Sequence, residues 1–219
     1  MALGLCAGCK AELLGVELPQ GGRESISQED LQRDTWLIVQ VPQRDQNPDG
    51  TAEVLSMRFQ QMHTRPAFSR SYVSAVNAVR LVCAEKDGQD GAPVVVLAED
   101  DGTKIADGAA AVAALISVLK GFDTPRQPPR PVLVCALLGE GALQAFLERP
   151  PRPLDGADIR FIGPVGQGSI EVSELSVGEW SAQRHAFSQP PSSDAMEALD
   201  YRQLQVLVQG VVDVVNQGG

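Results

Sequence analysis

Residues 94–122 read VVVLAEDDGTKIADGAAAVAALISVLKGF, and this stretch decides the fold class. VVVLA at 94–98 is apolar without interruption and β-branched, the pattern of a strand covered on both faces. EDDGTKIADG at 99–108 is an acidic loop. AAAVAALISVLKGF at 109–122 is Ala-rich and about four turns long, which predicts a buried helix over residues 108–120. A buried strand that feeds a buried helix is the building unit of a parallel sheet.

The segments on either side continue the alternation. Upstream, AVRLVCA at 78–84 predicts a strand, joined to VVVLA by the polar connection KDGQDGAP. Before it, SISQEDLQRDTWLIVQV offers Ser27 as an N-cap with acids in the first turn, so a helix begins there. PQRDQNPDG is turn chemistry, and TAEVLSMRFQQM at 51–62 reads as a second amphipathic helix. Downstream, Pro-rich TPRQPPRP is a surface link, PVLVCALL a second central strand, GEG a sharp turn and ALQAFLE a short helix. One strand is expected at 158–162. Residues 163–190 read as loop-rich with a short strand at SIEVSEL, and ALDYRQLQVLVQGVVDVVNQ as a closing helix with one apolar face. The expectation is one α/β domain over residues 1–219, with 1–25 as an N-terminal extension. It has three layers, with a mostly parallel, mixed central sheet flanked by helices, and VVVLA and PVLVCALL lie inside the sheet.

Composition narrows the function. Eighteen basic residues against twenty-eight acidic ones leave a formal charge of -10, and no basic stripe is present, which argues against a nucleic-acid partner. No apolar run approaches the roughly 20 residues that span a bilayer. The N-terminal stretch is interrupted by Lys10 and Glu12 and lacks a basic leader, so a cytoplasmic protein without membrane attachment is expected. Cys6 and Cys9 have the spacing of half a zinc knuckle, but no second pair completes it. Cys83 and Cys135 sit in the apolar runs VRLVC and PVLVC, where a small buried hydrophobe is expected. Four dispersed cysteines do not make a disulfide framework.

The order and content of the segments resemble the di-zinc aminopeptidases, whose fold is shared with glutaminyl cyclases and the nicastrin ectodomain. The two helices ending in RFQQM and the stretch AVRLVCAEKDGQDGAPVVVLAEDDG look like that family's opening helices and first core hairpin. IADGAAAVAALISVL looks like its Asp-bearing turn and central helix. RPVLVCALLGEGALQAF looks like the strand and Gly-Glu-Glu turn that follow, and PPSSDAMEALDYRQLQVLVQGVVDVV like the closing loop and last helix. The likeness covers about residues 26–148 and 189–217. Against the family, residues 149–190 are shortened and loop-rich.

The resemblance implies a set of zinc ligands, and this sequence departs from most of them. A zinc pair needs about five N or O ligands with a bridging carboxylate. In the Ala-His-x-Asp turn, Glu99 takes the His position and Asp101 keeps the supporting acid. The bridging Asp is matched by Asp107. The Gly-Glu-Glu turn is Gly139-Glu140-Gly141, so Glu140 stands at the general-base position and the ligand Glu is replaced by Gly141. Arg160 or Phe161 falls where a ligand Asp is expected, and Pro190 falls at the last His when Asp194 is matched. Neither His63 nor His185 falls at a motif position. No metal and no cofactor are therefore expected, and a zinc peptidase is not.

Two functions from different classes follow. The first is a metal-free pseudoenzyme that serves as a binding or scaffold subunit of a protein complex, or as a homo-oligomer. The second is a repurposed metal-independent enzyme acting on a small amine- or amino-acid-like molecule, for example an intramolecular ring closure in specialised metabolite biosynthesis. Asp107 and Glu140 would then carry acid–base catalysis, with Glu99 and Asp101 in support. Together with Asp100 these acids are expected on loops at one sheet edge, where open α/β sheets bind ligands.

Overall fold

A computed structural model of the chain describes residues 26–42, 48–63, 70–76, 79–100, 105–123, 127–164, 181–187, 196 and 199–217, with the backbone alone at 63, 70–76, 105–107, 164, 181–187 and 217. In chain order the elements are α1 (Gln28–Val39), α2 (Asp49–His63), β1 (Arg70–Val76), β2 (Val79–Lys86), β3 (Val94–Asp100), α3 (Ile105–Gly121), β4 (Val132–Leu138), α4 (Ala142–Glu148), β5 (Asp158–Pro164), β6 (Ser181–Phe187) and α5 (Tyr201–Gln217). Ser27 caps α1 as its side chain predicts: its Oγ accepts the Asp30 N–H at 3.0 Å, satisfying one of the donors left open at a helix start.

The six strands lie in the order β1-β2-β4-β3-β5-β6. β3 runs parallel to both β4 and β5, and β5 runs parallel to β6. β2 is antiparallel to β1 and to β4. The sheet is therefore mixed and mostly parallel at its centre, with β3 and β4 interior as expected. The expected core hairpin of β2 and β3 does not form. β4 lies between them, because the α3 crossover returns the chain to the parallel edge of β3 that faces β2. β1 and β6 are further strands that the sequence pattern did not show. The strand expected at SIEVSEL lies outside the described residues.

Alternation along the strands makes three layers. Val94, Val96 and Ala98 of β3 and Val132, Val134 and Ala136 of β4 join one core with α1, α2, α3 and α5. Val95 and Leu97, with Leu133, Cys135 and Leu137, join a second core with Leu143 and Phe146 of α4. Residues 108–119 of α3 are buried all round. Its run of alanines lets the helix lie close on the sheet, and at its far end a β-carbon on Gly121 would meet the side chain of Val212 of α5. Among the described residues no helix is long and apolar enough to cross a membrane.

One polar knot lies within the helical layer. Asp34 of α1 is fully buried and takes Arg58 of α2 at 2.6 Å and Lys120 of α3 at 3.4 Å. Lys120 also reaches Asp30 at 3.3 Å, and Arg33 closes on Asp30 at 2.5 Å. Partial burial disfavours the charged form of Asp30, but Lys120 and Arg33 outweigh it and hold its pKa below the ordinary value.

Cys83 and Cys135, expected as separate buried hydrophobes, are instead joined by a disulfide. They are directly opposed in the β2–β4 register, a long-range pairing that neither local run reveals.

Candidate functional site

The parallel strands β3, β4 and β5 end together at one sheet edge. Asp100 pairs with Leu138, Ala98 pairs with Ile162, and the Gly139 N–H donates to the Asp100 carbonyl at 2.9 Å. That bond ties the end of β3 to the turn that follows β4. The chain leaves β3 through α3 on one face and leaves β4 through α4 on the other, then crosses back to β5 beyond β3. Such a reversal opens a crevice at the carboxyl ends of the strands, the usual ligand position in this architecture.

The expected acids reach this edge by different routes. Glu99 and Asp100 are the last residues of β3 and not part of a loop. Asp107 lies in the first turn of α3, where its backbone alone is described. Glu140 is exposed in the turn between β4 and α4. Asp101 lies outside the described residues, as do Pro190 and Asp194, and nothing is described of the side chains of His63 and His185.

Sharing an edge does not place these acids in one cluster. Leu97 and Leu137 belong to the α4-side core and Ala98 and Leu138 to the α3-side core. Glu99 and Asp100 continue that alternation, so their side chains leave the sheet on opposite faces. Asp100 is buried on the α3 side, against Gly108. Glu99 is half-buried on the α4 side, the side of the Glu140 turn. Among the described residues no three His, Cys, Asp or Glu side chains converge closely enough to hold a metal ion.

The Gly139-Glu140-Gly141 turn, where the resemblance implies a second glutamate, has two glycines in the left-handed region. Gly139 has φ 94° and Gly141 φ 79°, the left-handed region that side chains other than glycine's rarely adopt. Gly141 serves here as the N-cap of α4 without a side-chain hydrogen bond. A glutamate at this position would meet open space but a strained backbone. Arg160 and Phe161, expected at a ligand position after β5, do not stand at this edge. Phe161 is in the α4-side core, and Arg160 is buried with its guanidinium on Asp158 at 2.6 Å. Both sit in the middle of the strand, paired with Leu97 and Val96, away from its carboxyl end. The described residues thus do not fit a zinc pair.

One residue at this edge was missed. Arg80, the second residue of β2, pairs with Leu138 in register and so brings a cation to the end of the sheet that carries the expected acids. Its Nε meets Asp49 at the start of α2 at 2.5 Å. A charged residue next to the apolar run RLVC was visible in the sequence, but its place at this edge depends on β2 running antiparallel to β4. A cavity of about 410 Å³ lies elsewhere, lined by Glu29, Gln32, Arg33 and Trp36 of α1 and by Met196. None of these is a candidate site residue.

The fold is that of zinc-dependent exopeptidases and glutaminyl cyclases. The chain is similar to a leucine aminopeptidase precursor from Bacteroides thetaiotaomicron, with a TM-score of 0.61, 11% identity, and coverage of 90% of this chain and 99% of the other. It is similar to the glutaminyl cyclase of Porphyromonas gingivalis at a TM-score of 0.62 and 10% identity, covering 90% and 100%. A Zn-dependent exopeptidase from Parabacteroides distasonis matches at 0.61 and 13% identity, covering 89% and 99%. No protein-family model matches the chain, and no curated protein matches it.

Proposed function

We propose that this chain is a metal-free, non-peptidase member of the aminopeptidase-like fold that serves as a binding or scaffold subunit in a protein complex or homo-oligomer. The observation that carries the reading is Gly141. Where the resemblance implies a ligand glutamate, the chain has a left-handed glycine at the start of α4, which offers no side-chain donor atom to a metal. Among the described residues, Glu99 and Asp100 leave the sheet on opposite faces and no three His, Cys, Asp or Glu side chains converge on one point, which supports this reading. The last helix, or residues 149–190, would lie near the interface. The cytoplasmic placement expected from the sequence belongs to this reading only if Cys83 and Cys135 are thiols in the cell.

The test is elemental analysis of the full chain after dialysis against zinc, combined with an aminoacyl-substrate assay and sedimentation. Sub-stoichiometric zinc, no hydrolysis, and a dimer or a copurifying partner at micromolar concentration are expected. One or two tightly held zinc ions per chain, or a stable monomer without a partner, would overturn it.

A second reading, a metal-independent acid–base enzyme for a small amine- or amino-acid-like substrate, is favoured by one feature. Asp107 in the first turn of α3 and Glu140 after β4 stand at the same sheet edge, with the Gly139–Asp100 bond holding the two crossovers together.

A further inference from the structure

The Cα atoms of Cys83 and Cys135 are 4.1 Å apart across the central antiparallel pair, and a disulfide joins the two residues. Both are 0% exposed and belong to the core between the sheet and α4, with Leu81, Leu97, Leu137 and Phe146. The residues are 52 apart in sequence, and the loop they close contains β3 and α3, the elements that carry Glu99, Asp100 and Asp107.

We propose that this pair is a thiol–disulfide site, oxidised in the working protein by exchange with a disulfide-bearing oxidant. The bond would form while the α4 layer is open, and the closed fold would then keep small reductants from it. In the exchange, one cysteine thiolate attacks a sulfur of the oxidant R–S–S–R and releases R–S⁻. The second cysteine thiolate attacks the cysteine sulfur of the mixed disulfide, closes the Cys83–Cys135 bond and releases the second R–S⁻. The two cysteines lose two electrons, the oxidant gains them, and the two thiol protons pass to the two released thiolates.

Exchange in either direction needs an attacking thiolate to reach a sulfur. In the folded chain both cysteines are fully buried in the core that α4 closes, so reduction has to wait for that core to open. A protein built this way matures where such an oxidant is supplied, because disulfides form and persist in oxidising compartments.

The full chain tests this in two arms. In the first, thiols are trapped in the producing cells, the chain is denatured without reductant, and its peptides are mapped by mass spectrometry. The expected result is one cross-linked peptide pair containing Cys83 and Cys135. Millimolar dithiothreitol is expected to leave the link intact in the folded protein and to cleave it at least 100-fold faster in denaturant. Free, alkylated Cys83 and Cys135 in the trapped sample, or equal cleavage rates in both conditions, would overturn the proposal. In the second arm, Cys83→Ala/Cys135→Ala and reduced wild type are expected to melt at a common temperature, on the order of 10 °C below the oxidised wild type. Identical melting of oxidised and reduced wild type would also overturn it, and that comparison does not depend on the variant folding.

Discussion

Oδ1 of Asp100 occupies the volume that a β-carbon on Gly108 would need, and the Cα of Asp100 lies only 3.2 Å from the same point. The end of β3 and the first turns of α3 are therefore in direct contact through a glycine and a buried carboxylate.

Gly108→Ala is expected to destabilise the fold by about 2 kcal/mol, because the short Asp100 side chain and its backbone cannot both move aside. Gly210 in α5 supplies the control. It is exposed and a β-carbon there meets nothing within 4 Å, so Gly210→Ala is expected to stabilise by about 0.5 kcal/mol. Urea titrations with unchanged slopes check both values. Equal midpoints for the two variants would contradict the close approach at Gly108.

Asp34 has the opposite character, a fully buried carboxylate shared by two cations. Asp34→Ala takes the shared carboxylate away from Arg58 and Lys120 and is expected to cost about 3 kcal/mol. Thermal melting measures this as a fall of roughly 6–12 °C for a chain of this size. A loss within 1 °C would mean that the knot contributes nothing to stability.

The same knot sets a pH dependence. The pKa of Asp30 is depressed in the folded state by Lys120 and Arg33 against the opposing effect of partial burial. A depressed carboxylate contributes stability that is present above its unfolded pKa of about 3.9 and is lost as pH falls through the lower folded value. Stability is therefore expected to decline from about pH 5 downward, and Lys120→Met to make that decline shallower. Denaturation at a series of pH values checks the sign, and a steeper acid decline in the variant would refute it.

Asp107→Asn and Glu140→Gln separate the scaffold from the acid–base enzyme. For a scaffold, both variants are expected to fold and associate like the wild type, with at most a fraction of a kcal/mol lost where Asp107 sits near the start of α3. For an enzyme using these groups, each is expected to lower turnover about 100-fold with the melting temperature retained. Full turnover in both variants would place catalysis on other residues or on a partner.

Local patterns in the sequence were enough to place most of the elements. The Ser27 cap, the all-apolar VVVLA and VLVCALL, the Ala-rich run of α3 and the helical spacing of α5 each report on neighbours a few residues away, and periodicity and capping act at that range. The glycine at 141, where the resemblance implies a glutamate, is read directly from the sequence. Tertiary structure decided what depends on pairing between distant segments. It placed β4 between β2 and β3, added β1 and β6 at the sheet edges, and brought Arg80 to the end that carries the expected acids. It also carried β3 through Glu99 and Asp100, read from the sequence as loop, and so set their side chains on opposite faces. Cys83 and Cys135 depend on the register of β2 with β4. Each occupies an apolar strand whose pattern says only that the residue is buried, and the antiparallel pairing across 52 residues makes them partners.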